Sequence, residues 1–489
     1  MNTLNRIAIL TVLAGLAMEQ GIAEPQHLEN SVVQVIATYQ HSNPLAPWQK
    51  QAPGVRTGYG TFISNTHILT SESLLRNNTL IEIRKADSGR KIPVKVFVAE
   101  PQADLALLEI PPGEKQYQPL SIAGKAEKNS EVTLAQFSDS NNIQVGGGKI
   151  LEPSVQSLPF APHSCLIFKV LTDLNVDARG APVLKDGSLA GIVLDYNRSS
   201  RTAKVLPYPL ISRFISDALN KPFEGFASAG FLWSQLIDPA KRSYLKLRDE
   251  SGGILVIGLL PGTEASDLLR PNDVILKWDG YSIDRLGYYS DFDFGKIRLP
   301  HLIHGKKAAG ESARVALLRD GKHLQVEPPL QRMDDADLLV PRNYLGKPAD
   351  YAIEGGFVIR ELTGRYLKSH GRNWKKRLPS ELVHLYLSRR FMPEKAGDKV
   401  VIVSQVLPDP INIGYQQFSN RILTHANGVR IKNMGDIFET IEKDGNIHRL
   451  RLRGMAVDLT LDKQSIKAAN SRLATKYRIA ELKKNSEVR

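Results

Sequence analysis

Between Glu24 and about Phe223 the chain is divided into short runs in which β-branched residues alternate with polar ones. Examples are Val32-Val33-Gln34-Val35-Ile36, Leu80-Ile81-Glu82-Ile83, Val94-Lys95-Val96-Phe97-Val98 and Gly191-Ile192-Val193-Leu194, with Gly, Pro, Asn and Asp turns between them. A period of two buries one face of each strand, so many such strands with little helix argue for a sandwich or a closed barrel. At 489 residues the chain has room for about three domains. Its 42% hydrophobic and 24% charged residues are typical of a globular protein.

Three stretches of this region carry chemistry. Gly58 to Leu75 reads Gly-Tyr-Gly-Thr-Phe-Ile-Ser-Asn-Thr-His-Ile-Leu-Thr-Ser-Glu-Ser-Leu-Leu, a glycine-opened strand, a turn at Ser64-Asn65 and a second strand ending at Thr70. Lys91 to Ile110 ends in Asp104-Leu-Ala-Leu-Leu-Glu-Ile, and Thr172 to Leu184 contains Asp177-Ala-Arg-Gly-Ala-Pro182. Together they resemble the protease domain of the HtrA/Deg family of trypsin-like serine proteases. The resemblance implies two six-stranded barrels with a cleft between them, a final strand near Leu206-Pro207 and an exit helix over Leu210 to Leu219. It also places Asp104 at the aspartate of a catalytic triad, Ser73 where the histidine is expected and Arg179 where the serine is expected.

Those two replacements remove the reaction's essential groups. Serine hydrolysis needs an imidazole to accept and return a proton, and a hydroxyl at position 73 cannot do so near neutral pH. A guanidinium at position 179 stays protonated and has no lone pair for attack. Asp104 is then a structural carboxylate, and pairing with Arg179 is one expectation for it. His67 lies six residues before Ser73, about 20 Å of extended chain, and reads as a surface strand residue. The oxyanion loop around Asp177 and Ala178 has also diverged.

Met1 to Ala23 reads as a secretory signal, with Arg6 ahead of an apolar run to Met18 and small residues before a cut at Glu24; an uncleaved anchor is the alternative. The expected address is export, to the periplasm, without stable membrane insertion. The single cysteine, Cys165, lies in an apolar run and reads as a core residue, with a catalytic thiol as the alternative. A net charge of +13 permits anionic partners. The densest basic stretch, Lys368 to Arg377 around Trp374, reads as a solvated loop and not as a nucleic-acid surface.

Residues 226–332 resemble a PDZ domain. Gly252 and Gly253 run into Ile254, Leu255 and Val256, where backbone N–H groups could hold a terminal carboxylate and a strand could add a peptide. A β-hairpin with no ligand is the other reading of these residues. Within this unit Tyr288 to Gly310 is an insertion rich in aromatics and charges. Its His301 and His304 read as surface residues, and no metal or other cofactor is expected. Residues 333–350 read as a solvated acidic linker. Residues 351–462 echo the first unit: Val403-Ser-Gln-Val-Leu-Pro408 repeats Val256-Ile-Gly-Leu-Leu-Pro261, and Ile422 to Gly428 repeats Val274 to Gly280. This second copy resembles the second PDZ domain of plant-type Deg proteases, a module of assembly. Residues 463–489 read as a basic C-terminal helix with Ile466, Leu473, Tyr477 and Ala480 on one side.

The fold expected is mainly β: residues 24–225 as a trypsin-like double β-barrel, then two PDZ-type α+β domains. The function expected is an exported, catalytically inactive protease homologue. It would bind unfolded or C-terminal peptide segments of other proteins through its first PDZ domain, and the resemblance implies a homo-oligomer. An active endopeptidase with a non-standard site and an assembly scaffold without free-peptide binding are the alternatives.

Overall fold

The computed structural model describes residues 28–486, apart from 87, 114–116, 123, 159–163, 221, 249–250, 343–348 and 444. The signal segment at residues 1–23 lies outside the described residues. Two β-barrels form the N-terminal half. Six strands close the second one, in the order Ser164–Thr172, Thr202–Pro207, Ser188–Asn197, Pro182–Lys185, Glu131–Phe137 and Ile143–Ser157. The first is a seven-stranded sheet whose end strands, Lys91–Pro93 and Lys95–Glu100, are halves of one strand broken at Val94. The bend lets one half pair with Asn78–Arg84 and the other with Leu105–Glu109, so the sheet wraps round as a six-stranded barrel would.

Strand Leu105–Glu109 explains its own sequence. Leu105 and Leu107 join the core of the second barrel, while Ala106 and Leu108 join that of the first. Both faces are therefore dry, and the run is apolar without alternation. The helix Tyr208–Leu219 buries Leu210, Ile211 and Phe214 against the barrels and leads into the next module.

The two C-terminal modules repeat one plan. Strands Ile254–Leu259 and Val274–Trp278 are matched by Val401–Val406 and Arg421–Ala426. Each second strand ends in a two-residue turn with both φ angles positive, 46° and 85° at Asp279-Gly280 and 48° and 81° at Asn427-Gly428. This is the type I′ hairpin turn, which favours Asp-Gly and Asn-Gly. The side chains repeat as well: Asp279 accepts from the Arg314 N–H, and Asn427 from the Arg449 N–H, at 2.9 Å in both.

Residues 333–340 are held more firmly than a solvated linker would be. Met333, Leu338 and Val340 are buried, and Asp334 caps the short helix Asp335–Asp337. Arg332 binds both Asp334 and the buried carboxylate of Glu100, and Gln102 donates to the Met333 carbonyl at 2.8 Å. The barrel loop around residues 41–50 also docks on the last module. Arg360 donates to the Pro44 carbonyl at 2.6 Å, Arg365 to that of Ser42 at 3.1 Å, and Trp48 meets Tyr351 edge-on.

The C-terminal helix spans Lys463–Tyr477 and buries Ile466, Ala469 and Leu473. It stops at Arg478, which is left-handed, so Ile479 turns inward and Ala480 faces solvent, contrary to a helix running to the end. The strand Lys483–Lys484 then pairs with Tyr351 and Ala352, and Ser486 bonds Asp350. Trp374 also points inward. It packs edge-on against Tyr386, leaving the basic stretch as a charged rim without an exposed stacking ring.

His301 and His304 are buried, at 3% and 6% exposure, where the sequence suggested surface. The insertion forms a hairpin, Tyr288–Asp291 with Gly295–Arg298, and a helical turn, His301–Gly305, that packs on barrel strand Ser164–Thr172. His304 bonds the Ala227 carbonyl through Nδ1, while neither ring nitrogen of His301 has a protein partner. Burial pulls both imidazoles down to about 4, and the Lys306 cation near His301 and the Arg213 guanidinium near His304 add to it. A lowered folded pKa favours the neutral ring, so the stability it supports is complete above about pH 6.5 and is lost as the pH falls toward 4. Stability should therefore fall across that window, by on the order of 3 kcal/mol per histidine, and thermal midpoints should fall with it. A His301→Phe variant should show a shallower fall; an identical profile would refute the assignment.

Candidate functional site

The cleft between the barrels gathers the three positions singled out above. Ser73 lies in the short helix Glu72–Leu75, directly after strand His67–Thr70. Asp104 sits just before strand Leu105–Glu109 with a left-handed φ of 56°, which turns its carboxylate toward that helix. Its Oδ1 accepts the Ser73 backbone N–H at 2.6 Å and its Oδ2 the Ser73 hydroxyl at 3.2 Å. Arg179 comes from the second barrel and donates from Nη1 to Asp104 at 3.4 Å and to Ser73 Oγ at 3.3 Å. The expected Asp104–Arg179 pair is thus present. The carboxylate that would orient an imidazole in a triad is instead occupied by an amide, a hydroxyl and a guanidinium.

The loop that carries Arg179 is braced from both sides. The Arg179 carbonyl accepts the Tyr59 N–H at 2.8 Å, and the Gly180 N–H bonds Val193 at 2.8 Å. Next to it, the Asp177 N–H donates to Gln136 Oε1 at 3.2 Å, and the Asp177 carboxylate accepts the Tyr59 hydroxyl at 2.7 Å. An amide consumed by a side chain, with a carboxylate beside it, does not make a receptor for a developing oxyanion.

Other candidate nucleophiles and bases lie elsewhere or are already engaged. His41 reaches the cleft, but its Nε2 contacts Arg56 at 3.0 Å and its Nδ1 contacts Asn77 at 2.8 Å, so neither nitrogen addresses a hydroxyl. A serine–imidazole contact does occur at Ser64 and His67, 3.1 Å apart. It belongs to a hairpin turn, where Ser64 Oγ also accepts the N–H groups of Thr66 and His67. His67 itself is half-buried against Phe97. Cys165 is buried, donates to the Gln102 carbonyl, and has its thiol pushed up to about 12 by burial.

Most of the residues expected to take a peptide are already engaged within the module. Ile254 pairs with Ile275, and Leu255 pairs with both Ser234 and Val274. Val256 faces Trp233 and exchanges backbone bonds with Asn272 and Asp273. Gly253 donates to the Ile283 carbonyl at 2.8 Å, and a Cβ on Gly252 would lie 2.2 Å from that oxygen. These glycines therefore permit a close approach within the sheet, a role the sequence pattern alone cannot separate from ligand binding. The end strands of this sheet are Phe231–Ser234 and Lys322–Val326, and the loop before the first of them, Phe226 to Gly230, is buried.

Sequence reasoning missed the cations around the cleft. A cavity of about 920 Å³ opens over Ser73 and Arg179 and is also lined by Arg56, Arg76, Arg342, Arg365 and Lys368. They come from the first barrel, the segment before residue 343 and the last module, so no local pattern links them. Only Lys368 belonged to a stretch marked as basic.

Comparison with known proteins agrees with this architecture. A trypsin-like peptidase domain model matches residues 58–192, and a PDZ domain model matches residues 340–486. The mitochondrial Do-like 3 protein of Arabidopsis thaliana is 28% identical over 461 residues, covering 92% of this chain and 78% of its own. Protease Do-like 2, chloroplastic, from the same plant is 27% identical over 421 residues, covering 84% and 68%. Among solved structures, the HtrA-type protease AlgW, as a variant with a decapeptide, superposes with a TM-score of 0.50 at 17% identity, covering 63% of this chain and 97% of that one. That last likeness concerns the fold alone.

Proposed function

Since the chain belongs to the HtrA/Deg family of trypsin-like, PDZ-bearing proteins, we propose that it is a member that has given up cleavage and serves as a binding and assembly protein. The observation that carries this reading is the Ser73–Asp104–Arg179 cluster: a carboxylate stands at the expected triad position, a guanidinium where a nucleophile would be, and among the described residues no imidazole bonds to either. Export rests on the leader-like residues Met1 to Ala23. The test is casein digestion by the purified full-length protein beside an Arg179→Ala variant. No cleavage by either is the expected result; robust cleavage that the substitution abolishes would overturn the proposal.

Peptide capture through Gly252 to Val256 is not part of this reading, because Leu255 is paired on both sides, Val256 is bonded to Trp233's strand and to Asn272 and Asp273, and Gly252 and Gly253 are packed against Ile283. The position of Phe231–Ser234 at the end of its sheet favours a second reading, in which an internal peptide segment adds there. The buried loop in front of that strand argues against capture of a free terminal carboxylate. Saturable binding of extended peptides, lost when Leu232 is replaced by proline, would support strand addition at this edge.

A further inference from the structure

The cleft over Ser73 and Arg179 is strongly cationic, and carboxylates balance only part of its charge: Arg76, Arg179 and Arg342 pair with Glu72, Asp104 and Asp335. Of the acidic groups near it, Glu72 is engaged by Arg76 at 2.6 Å, and Asp104 by Ser73 and Arg179. Asp177, which lines the cavity, accepts from Tyr59. Among the described residues, Arg56, Arg365 and Lys368 have no carboxylate partner.

Two of these cations are held in place by neutral groups. The Arg56 guanidinium stacks 3.9 Å over the Tyr39 ring and donates to the Arg76 carbonyl at 3.0 Å. Arg365 is anchored by the Ser42 carbonyl, so the same contact that docks the last module on the barrel holds it in the lining of the cavity that Arg56 also lines. Lys368 follows three residues later in the helix Gly364–Lys368, within 5.7 Å of the Tyr386 ring. Fixed like charges converging on one cavity repel each other unless an anion joins them. His41 senses that field: burial first, then Arg365 and Arg56, hold its imidazole below the usual histidine range.

We propose that this cleft is a binding site for an oligophosphate, either free or as the phosphate chain of a larger molecule. Guanidinium groups contributed by separate parts of the chain to one cavity suit a compact anion with several oxygens, and Arg pairs with phosphate in a bidentate manner. An extended acidic peptide offers its carboxylates along a line and matches this arrangement less well. Among the described residues no Phe, Tyr or Trp lines the cavity, and the His41 imidazole that does is engaged by Arg56, Asn77 and the Tyr39 ring, so none of them offers an open stacking platform for a nucleobase. The inference goes beyond the loss of cleavage and is read by a different measurement, so a failure of either leaves the other standing.

The test is calorimetric titration of the full-length protein with tripolyphosphate, ATP and a glutamate-rich octapeptide, in about 0.1 M salt. Tripolyphosphate should bind saturably, and ATP no more tightly; tighter ATP binding would overturn the phosphate-only site. Removing one charge-assisted contact should weaken tripolyphosphate about tenfold in Arg56→Ala and in Lys368→Ala. The exposed Lys368 tests the site without threatening the fold. An absence of saturation, a peptide that binds better than tripolyphosphate, or unchanged affinity in Lys368→Ala would each overturn the proposal.

Discussion

A Ser73→His, Arg179→Ser double variant is expected to remain without measurable casein hydrolysis, although both side chains of the serine mechanism would then be present. Asp104 could accept from the new imidazole, since its carboxylate already meets residue 73 at 2.6 and 3.2 Å. The barrier that remains is the oxyanion site. The Asp177 N–H is bound to Gln136, and the Asp177 side chain would place negative charge beside the developing alkoxide. Loss of one such donor costs a factor of about 10²–10³ in turnover, before the repulsion is counted. A double variant that digests casein readily would mean that this loop rearranges at little cost.

The largest stability effect is expected at Gly180. Its φ of 81° lies where only glycine is at ease, and a Cβ there would come within 2.1 Å of the Tyr59 carbonyl oxygen. That oxygen is not free to move, because it accepts the Thr70 hydroxyl at 2.7 Å while the Tyr59 N–H holds the Arg179 carbonyl. Gly180→Ala should cost about 4 kcal/mol or more. In a thermal melt this is a fall of roughly 10 °C. A shift of a degree or two would show that the turn between the barrels is softer than its contacts imply.

Much of the fold was legible because its signals are local. Alternation marked the barrel strands, and Asp-Gly and Asn-Gly marked the paired hairpins of the duplicated modules. Ser73, Asp104 and Arg179 could be singled out because each sits in a stretch with its own punctuation, and the structure brings the three together. What failed to register was long-range. His301 and His304 read as surface because an insertion rich in charges looks solvated until its helical turn is seen wedged against the second barrel. The approach of Ile283 to Gly252 and Gly253 was equally hidden, because a glycine that admits a neighbouring segment is spelled like one that admits a peptide. The cations over the cleft lie as far apart in sequence as Arg56 and Lys368, and only the docking of the last module brings them together.

The strand Lys483–Lys484, laid against Tyr351 and Ala352, has a consequence for how the chain can be handled. Proteolytic trimming of the last few residues would strip the cover from a row of backbone donors and acceptors, and bare edges of that kind recruit strands from other molecules. The two lysines at the rim discourage that recruitment while they remain. Shortened preparations should therefore be the ones that clump.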